Sequence, residues 1–310
     1  MVKLRLVFAL LLGTPLVAFA QNGPPQVIHE TQHDTSPPLR QMPPGPRRIG
    51  ALEAEPVRRI PSARRLPNGP DPVLQAGPAA GAPEALTAPA TIANFDGIGQ
   101  GFTGPAGTFV VNSAPPDTNG AVGPNHIVEV VNTDIAVFTK SGTAVFGPVP
   151  INTLWSGFTG SNCAVENDGD PVVSYDRLAD RWIVSQFQVS RTPFQQCVAV
   201  SATGDPTGSY FRYAFSYPDG FPDYPKMGVW PDGYYITYNV FNNAGTSFLY
   251  AKSCAFDRAN MLAGAAATQV CFNTTNFGGL LPADFDGRTL PAAGAPNPIV
   301  ALGATSTTLA

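Results

Sequence analysis

Three aspartates, Asp117, Asp170 and Asp223, recur at intervals of 53 residues. Carboxylates bind hard cations, orient hydroxyls and move protons, so a periodic set of them is the first place to look for chemistry. Two of the three have oxygen donors and a glycine close by: Asn119 and Gly120 follow Asp117, and Asp168 and Gly169 precede Asp170. Calcium takes roughly six to eight oxygen ligands, and such clusters suit a calcium loop. Neither run completes an EF-hand, because no glutamate follows at the required distance. The metal expectation is thus a calcium ion held by Asp117, Asn119, Asp168, Asp170 and Asp223. The competing expectation is that each aspartate accepts backbone N–H groups at a turn that itself repeats.

Other chemistries find weaker support. A sialidase-like hydrolase needs an arginine cluster, a tyrosine with a glutamate partner, and Ser-x-Asp-x-Gly-x-x-Trp boxes. The nearest approach, Ser201-Ala202-Thr203-Gly204-Asp205, has the wrong spacing, and only Glu129 and Glu166 occur beyond residue 95. His126 is the one histidine there, and no Gly-x-Ser-x-Gly elbow accompanies it, so serine hydrolysis lacks its parts. Trp182, Trp230, Tyr234, Tyr235 and Tyr238 would suit a sugar-stacking or protein-binding face, or equally the packing between sheets. Asn273-Thr274-Thr275 is a glycosylation sequon.

The elements that must position these residues repeat with them. After Asp117 come the turn Gly123-Pro124-Asn125 and the apolar run 127–131. After Asp170 come a polar turn at 176–181 and the run 182–184, and after Asp223 come Pro231-Asp232-Gly233 and the run 234–238. A further run follows in each unit, at 135–138, 197–200 and 248–251. β-Branched and aromatic runs between short turn signals predict strands. One helix is predicted over 258–263, with Asp257 as its N-cap and Gly264 as its end. Strand-rich units of this length match the blades of a β-propeller. If each aspartate opens the innermost strand of a blade, all three meet at one mouth of the central channel. The fold expected is all-β, a propeller with about four blade-like repeats in residues 96–310. Its fourth unit is degraded, with Asn276 at the next repeat position, and the strand-like residues 302–310 suggest an incomplete ring that belongs to a larger one.

Lys3 and Arg5, an apolar run at 6–12 and the pattern Ala18-Phe19-Ala20 make residues 1–20 a cleavable secretory signal. No segment is long and apolar enough to span a membrane. Residues 21–95 are rich in proline, alanine and arginine without apolar periodicity, which predicts a disordered tether. Its pairs Arg47-Arg48, Arg58-Arg59 and Arg64-Arg65 read as solvated charge, processing sites or contacts to an anionic polymer. Residues 96–310 hold nine Lys/Arg against sixteen Asp/Glu, a balance of minus seven, and such acidity argues against nucleic-acid binding. Four cysteines in an exported chain predict two disulfides. Pairing by proximity joins Cys163 to Cys197 and Cys254 to Cys271, and without a Cys-x-x-Cys a zinc site is unsupported.

The strings Pro115-Pro116-Asp117-Thr118-Asn119-Gly120, Asn167-Asp168-Gly169-Asp170-Pro171, Cys197-Val198-Ala199-Val200-Ser201 and Asp223-Tyr224-Pro225-Lys226 resemble a group of large, uncharacterised secreted bacterial proteins. These look like β-propellers of the broad sialidase-like, six- to seven-bladed kind. The resemblance covers residues 94–305 and implies fold and location, with no catalytic residue to carry over. The functional expectation is a secreted, periplasmic or cell-surface binding or scaffold module for a protein or glycan ligand, stabilised by calcium. The alternative is a glycan or peptide hydrolase on the same scaffold, with part of its site missing.

Overall fold

Valine, isoleucine, phenylalanine and tyrosine set the strands of this chain, and glycine, proline and aspartate set the turns between them. The computed structural model describes residues 23–47, 53–54, 58–60 and 91–301. The predicted signal peptide, Arg64-Arg65 and the terminal run 302–310 lie outside the described residues.

Strands β1 (Gln26–His29) and β2 (Gln32–Thr35) come first, then the short pieces β3 (Glu53–Ala54), β4 (Thr103–Gly104), β5 (Gly107–Thr108) and β6 (Ser113–Ala114). Three antiparallel meanders of four strands follow. The first is β7 (Asn119–Val122), β8 (His126–Val131), β9 (Asp134–Thr139) and β10 (Ala144–Pro150). The second is β11 (Val172–Asp176), β12 (Arg181–Gln188), β13 (Phe194–Ser201) and β14 (Tyr210–Tyr217). The third is β15 (Phe221–Trp230), β16 (Gly233–Phe241), β17 (Phe248–Phe256) and β18 (Thr268–Thr274). Helix α1 (Arg258–Ala263) interrupts the third, and β19 (Leu281–Pro282) pairs with β20 (Ile299–Val300) near the end of the described chain. The fold is all-β, with several antiparallel sheets and, among the described residues, no closed barrel. The opening strands β7, β11 and β15 lie beside one another, so successive sheets meet along their first strands.

Period-two alternation builds the core. Trp182 and Val184 of β12 pack with Val128, Val130 and Trp155 toward the first sheet. Their neighbours Ile183 and Phe187 pack with Tyr234, Ile236 and Tyr238 of the third. The second sheet is covered on both faces, and every residue of β13 is buried. Each large side chain removed from water there contributes about 1.5–3 kcal/mol. Core packing therefore accounts for Trp182, Tyr234 and Tyr238, whereas Trp230 and Tyr235 are half-buried.

Several local expectations hold. Asp257 accepts the Asn260 N–H at the N-terminus of α1, and Gly264 ends the helix at φ 68°. Cys163 is bonded to Cys197 and Cys254 to Cys271. The second pair stands directly opposed across β17 and β18.

The tether expectation for residues 21–95 does not hold over 23–47. β1 pairs with β18 and β2 with β14, which extends two sheets to five strands. Leu39 and Met42 are buried in the cluster between the first and second sheets. Arg47 pairs with buried Asp134 at 2.9 Å. Weak apolar patterning misleads here because an edge strand needs chiefly backbone donors and acceptors, and the sheet it joins supplies them. Residues 95–109 pack as well, with Phe95 and Phe102 against Phe138.

Candidate functional site

Asp117 and Asp170 each stand two residues ahead of the opening strand of a sheet, and both adopt left-handed backbone, φ 38° and 43°. In the third sheet the left-handed residue is Tyr224, at φ 56°, beside Asp223. The pairing register of β15 shifts between Asp223 and Lys226. Such backbone costs about 1–3 kcal/mol and persists where surrounding contacts enforce it. Those contacts join one sheet to the next. Asn132 donates from Nδ2 to Asp117 Oδ2 at 2.7 Å and accepts the Asp170 N–H on Oδ1 at 3.0 Å. The Asp170 carboxylate in turn accepts the Tyr224 N–H at 3.2 Å, and Asn119 accepts the Val173 N–H at 2.8 Å. Gly169 has φ 105°, and a Cβ there would lie 2.4 Å from Asn132 Oδ1, so the joint requires glycine.

Asp117, Asn119, Asp170 and Asp223 line one cavity of about 900 Å³, together with Arg58 and Lys226. Pro115, Pro171, Met227, Phe241 and Leu281 supply much of its apolar wall. An apolar hollow with a few convergent charges is the usual make-up of a ligand site. Burial pushes the Asp223 carboxyl up, opposed chiefly by Arg58. Burial also pulls the Lys226 ammonium down, opposed by Asp170, Asp117 and Asp223. The Lys226 Nζ stands 3.7 Å from the centre of the Tyr224 ring, and no hydrogen bond reaches it among the described residues. Partial dehydration strengthens the pairing of such charges with a ligand.

The expected metal set is only partly brought together. Asp168 lies outside the cavity, where its carboxylate accepts the N–H groups of Val189 and Ser190 at 2.6 and 2.8 Å and so ties down the loop after β12. Asp170 serves both expectations, since it lines the cavity and accepts a backbone N–H. Among the described residues no three carboxylate, histidine or cysteine side chains are close enough to share one ion. The cations already beside these carboxylates are Arg58 and Lys226.

No protein family, curated protein or solved structure matches this chain. Function must therefore be read from the cavity.

The groups sought for hydrolysis lie elsewhere. Glu129 accepts the Ile98 N–H at 2.9 Å on the first sheet, and Glu166 pairs with Arg191. His126 opens β8 away from the cavity, whose described lining contains no serine, cysteine or histidine. Sequence reasoning missed three residues. Lys226 stood in one of the strings that carry the resemblance without an assigned role, Arg58 belonged to a pair expected to be solvated charge, a processing site or a contact to an anionic polymer, and Asn132 carried no signal.

Proposed function

We propose that this chain is an extracytoplasmic binding module of β-propeller type, which takes a protein or glycan ligand in the cavity between β7, β11 and β15. The observation that carries the reading is that aspartates 53 residues apart reach one cavity from three successive sheets and there surround a lysine ammonium that has no hydrogen-bond partner among the described residues. Carboxylates would meet donor groups of the ligand, Lys226 an acceptor, and the proline-rich wall its apolar parts. Two disulfides fit an oxidising compartment, and residues 1–20 have the composition of an export signal. No helix among the described residues is long and apolar enough to cross a membrane.

The test compares the secreted wild-type chain with the Asp117→Asn, Asp170→Asn, Lys226→Gln triple variant on immobilised glycan and peptide arrays. The wild type should retain a defined ligand set that the variant loses, with both chains still cooperatively folded. Identical retention by both would refute the reading. Turnover of an array glycan by the wild type would replace it with the hydrolase alternative. Calcium enters the same experiment as a variable: a calcium-dependent rise in melting temperature, lost in the variant, would assign the aspartates to a cation instead.

A further inference from the structure

The rim of this cavity is occupied by the chain's own residues 58–60. Arg58 Nη1 lies 3.4 Å from Asp223 Oδ2, with the two side chains only 16% and 13% exposed. The Arg58 guanidinium also lies over the Phe221 ring, 4.4 Å from its centre. A carboxylate and an aromatic face presented together, out of water, are a strong combination for a guanidinium. Two residues on, Ile60 rests against Gly278 and Gly279. A Cβ added at Gly278 would stand 3.0 Å from the Ile60 Cβ. Asn239 fixes this glycine shelf by accepting the Gly279 N–H at 2.8 Å. The site thus has two points, one for a guanidinium and one for an aliphatic side chain two residues later.

Toward Asp223 the guanidinium presents one nitrogen at 3.4 Å, where arginine at its best makes a two-pronged fork with a carboxylate, and Ile60 remains 38% exposed. Residues 26–29 and 32–35 are held by strand ladders, whereas residues 58–60 belong to no strand. Behind the rim, Asp117 and Asp170 keep the cavity acidic, which favours a cationic arrival.

We propose that this subsite recognises an arginine-bearing peptide segment of a partner protein, with Arg58 and Ile60 as the internal competitor that holds the place until the partner arrives. The proposal rests on the reading of the cavity as a ligand site and names the chemical class of its ligand. A competitor in cis lowers the apparent affinity for the partner by the fraction of time it is seated.

The probe is a fluorescently labelled synthetic peptide with the sequence of residues 54–63, followed by anisotropy on the full secreted chain. It should bind the Arg58→Ala, Ile60→Ser variant about tenfold or more tightly than the wild type. Adding Asp223→Asn to that variant should weaken binding by about the same factor, and a peptide with citrulline in place of both arginines should not bind. Equal affinity for wild type and variant, no binding to the folded variant, or indifference to Asp223→Asn would each overturn the proposal. Ile60→Asp, which keeps Arg58 and disturbs only the shelf, is the second route. If neither variant folds, residues 58–60 are a structural clasp and the proposal is likewise lost. The array experiment keeps the two ideas apart. If the peptide fails while a Lys226-dependent ligand is still retained, only the arginine assignment falls; if retention ignores the cavity substitutions, the binding reading falls first.

Discussion

Replacing Asp34 with alanine measures how firmly the N-terminal segment belongs to the folded body. Arg212 of β14 is 2% exposed, and its Nε and Nη2 meet both oxygens of Asp34 at 2.7 and 2.6 Å. The third nitrogen, Nη1, donates to the carbonyls of Leu154 and Ser156 at 3.2 and 2.9 Å, and the guanidinium covers the Phe158 ring. Removing one partner of a buried ion pair costs about 3–5 kcal/mol. Two features lower that figure here: Asp34 is 33% exposed, and the cation keeps two carbonyl acceptors. The expected loss is about 2–3 kcal/mol, or roughly 5–10 °C in melting temperature for a body of this size. Urea unfolding followed by tryptophan fluorescence is a suitable assay, since Trp155 and Trp182 are fully buried. Arg212→Met combined with Asp34→Ala should lose less than the sum of the single losses, because no charge is then left uncompensated. A loss below about 0.5 kcal/mol for Asp34→Ala, the level of an ordinary surface change, would refute the attachment of residues 23–47.

Three further outcomes follow from the same geometry. Removing the Cys163–Cys197 bridge, which closes 34 residues, should destabilise by about 4 kcal/mol, and removing Cys254–Cys271, which closes 17, by about 3; calorimetry showing the reverse order would contradict the loop-entropy account. Asp176 is fully buried and accepts from Leu178 N, Ala179 N, Tyr234 Oη and Arg258 Nε, so Asp176→Ala should cost about 3–5 kcal/mol in urea titrations and Tyr234→Phe about 1. Burial raises the Glu129 carboxyl above 4.5, so the folded chain binds this proton more tightly than the unfolded one. Its contribution to stability is therefore full below pH 4.5 and declines as pH rises through the folded value. Glu129→Gln keeps an acceptor for Ile98 and removes the charge, so its stability relative to wild type should increase with pH across that window in melting curves; a pH-independent difference would show the carboxylate to be well solvated.

Much of the scaffold was legible because its signals are local. The runs 127–131, 135–138, 182–184, 197–200, 234–238 and 248–251 all fall within strands. The fourth strand of each meander was missed. β10 is broken by Gly147, Pro148 and Pro150, whereas β14 and β18 mix polar residues into their runs, so their identity as strands comes from the ladders that claim them. At the site, the repeat spacing singled out Asp117, Asp170 and Asp223 as a group, and the three line one cavity. Asp168 joined the expected metal set through the local cluster Asp168-Gly169-Asp170, yet its carboxylate turns to the Val189 and Ser190 N–H groups, because two residues along an irregular segment are enough to point a side chain toward a different loop.

By itself, then, the amino-acid order determined an all-β chain with a capped six-residue helix, two disulfides between the cysteines nearest in sequence, and a periodic set of acidic residues. Side-chain alternation, capping and turn chemistry act over a few residues, and short loops favour the nearest cysteine pairs. Only the tertiary structure decided which charges face each other. Arg58 meets Asp223 across 165 positions and Asp34 meets Arg212 across 178. Neither pair has any local signature, because a salt bridge depends on distance and dehydration, and these arise only when the sheets pack.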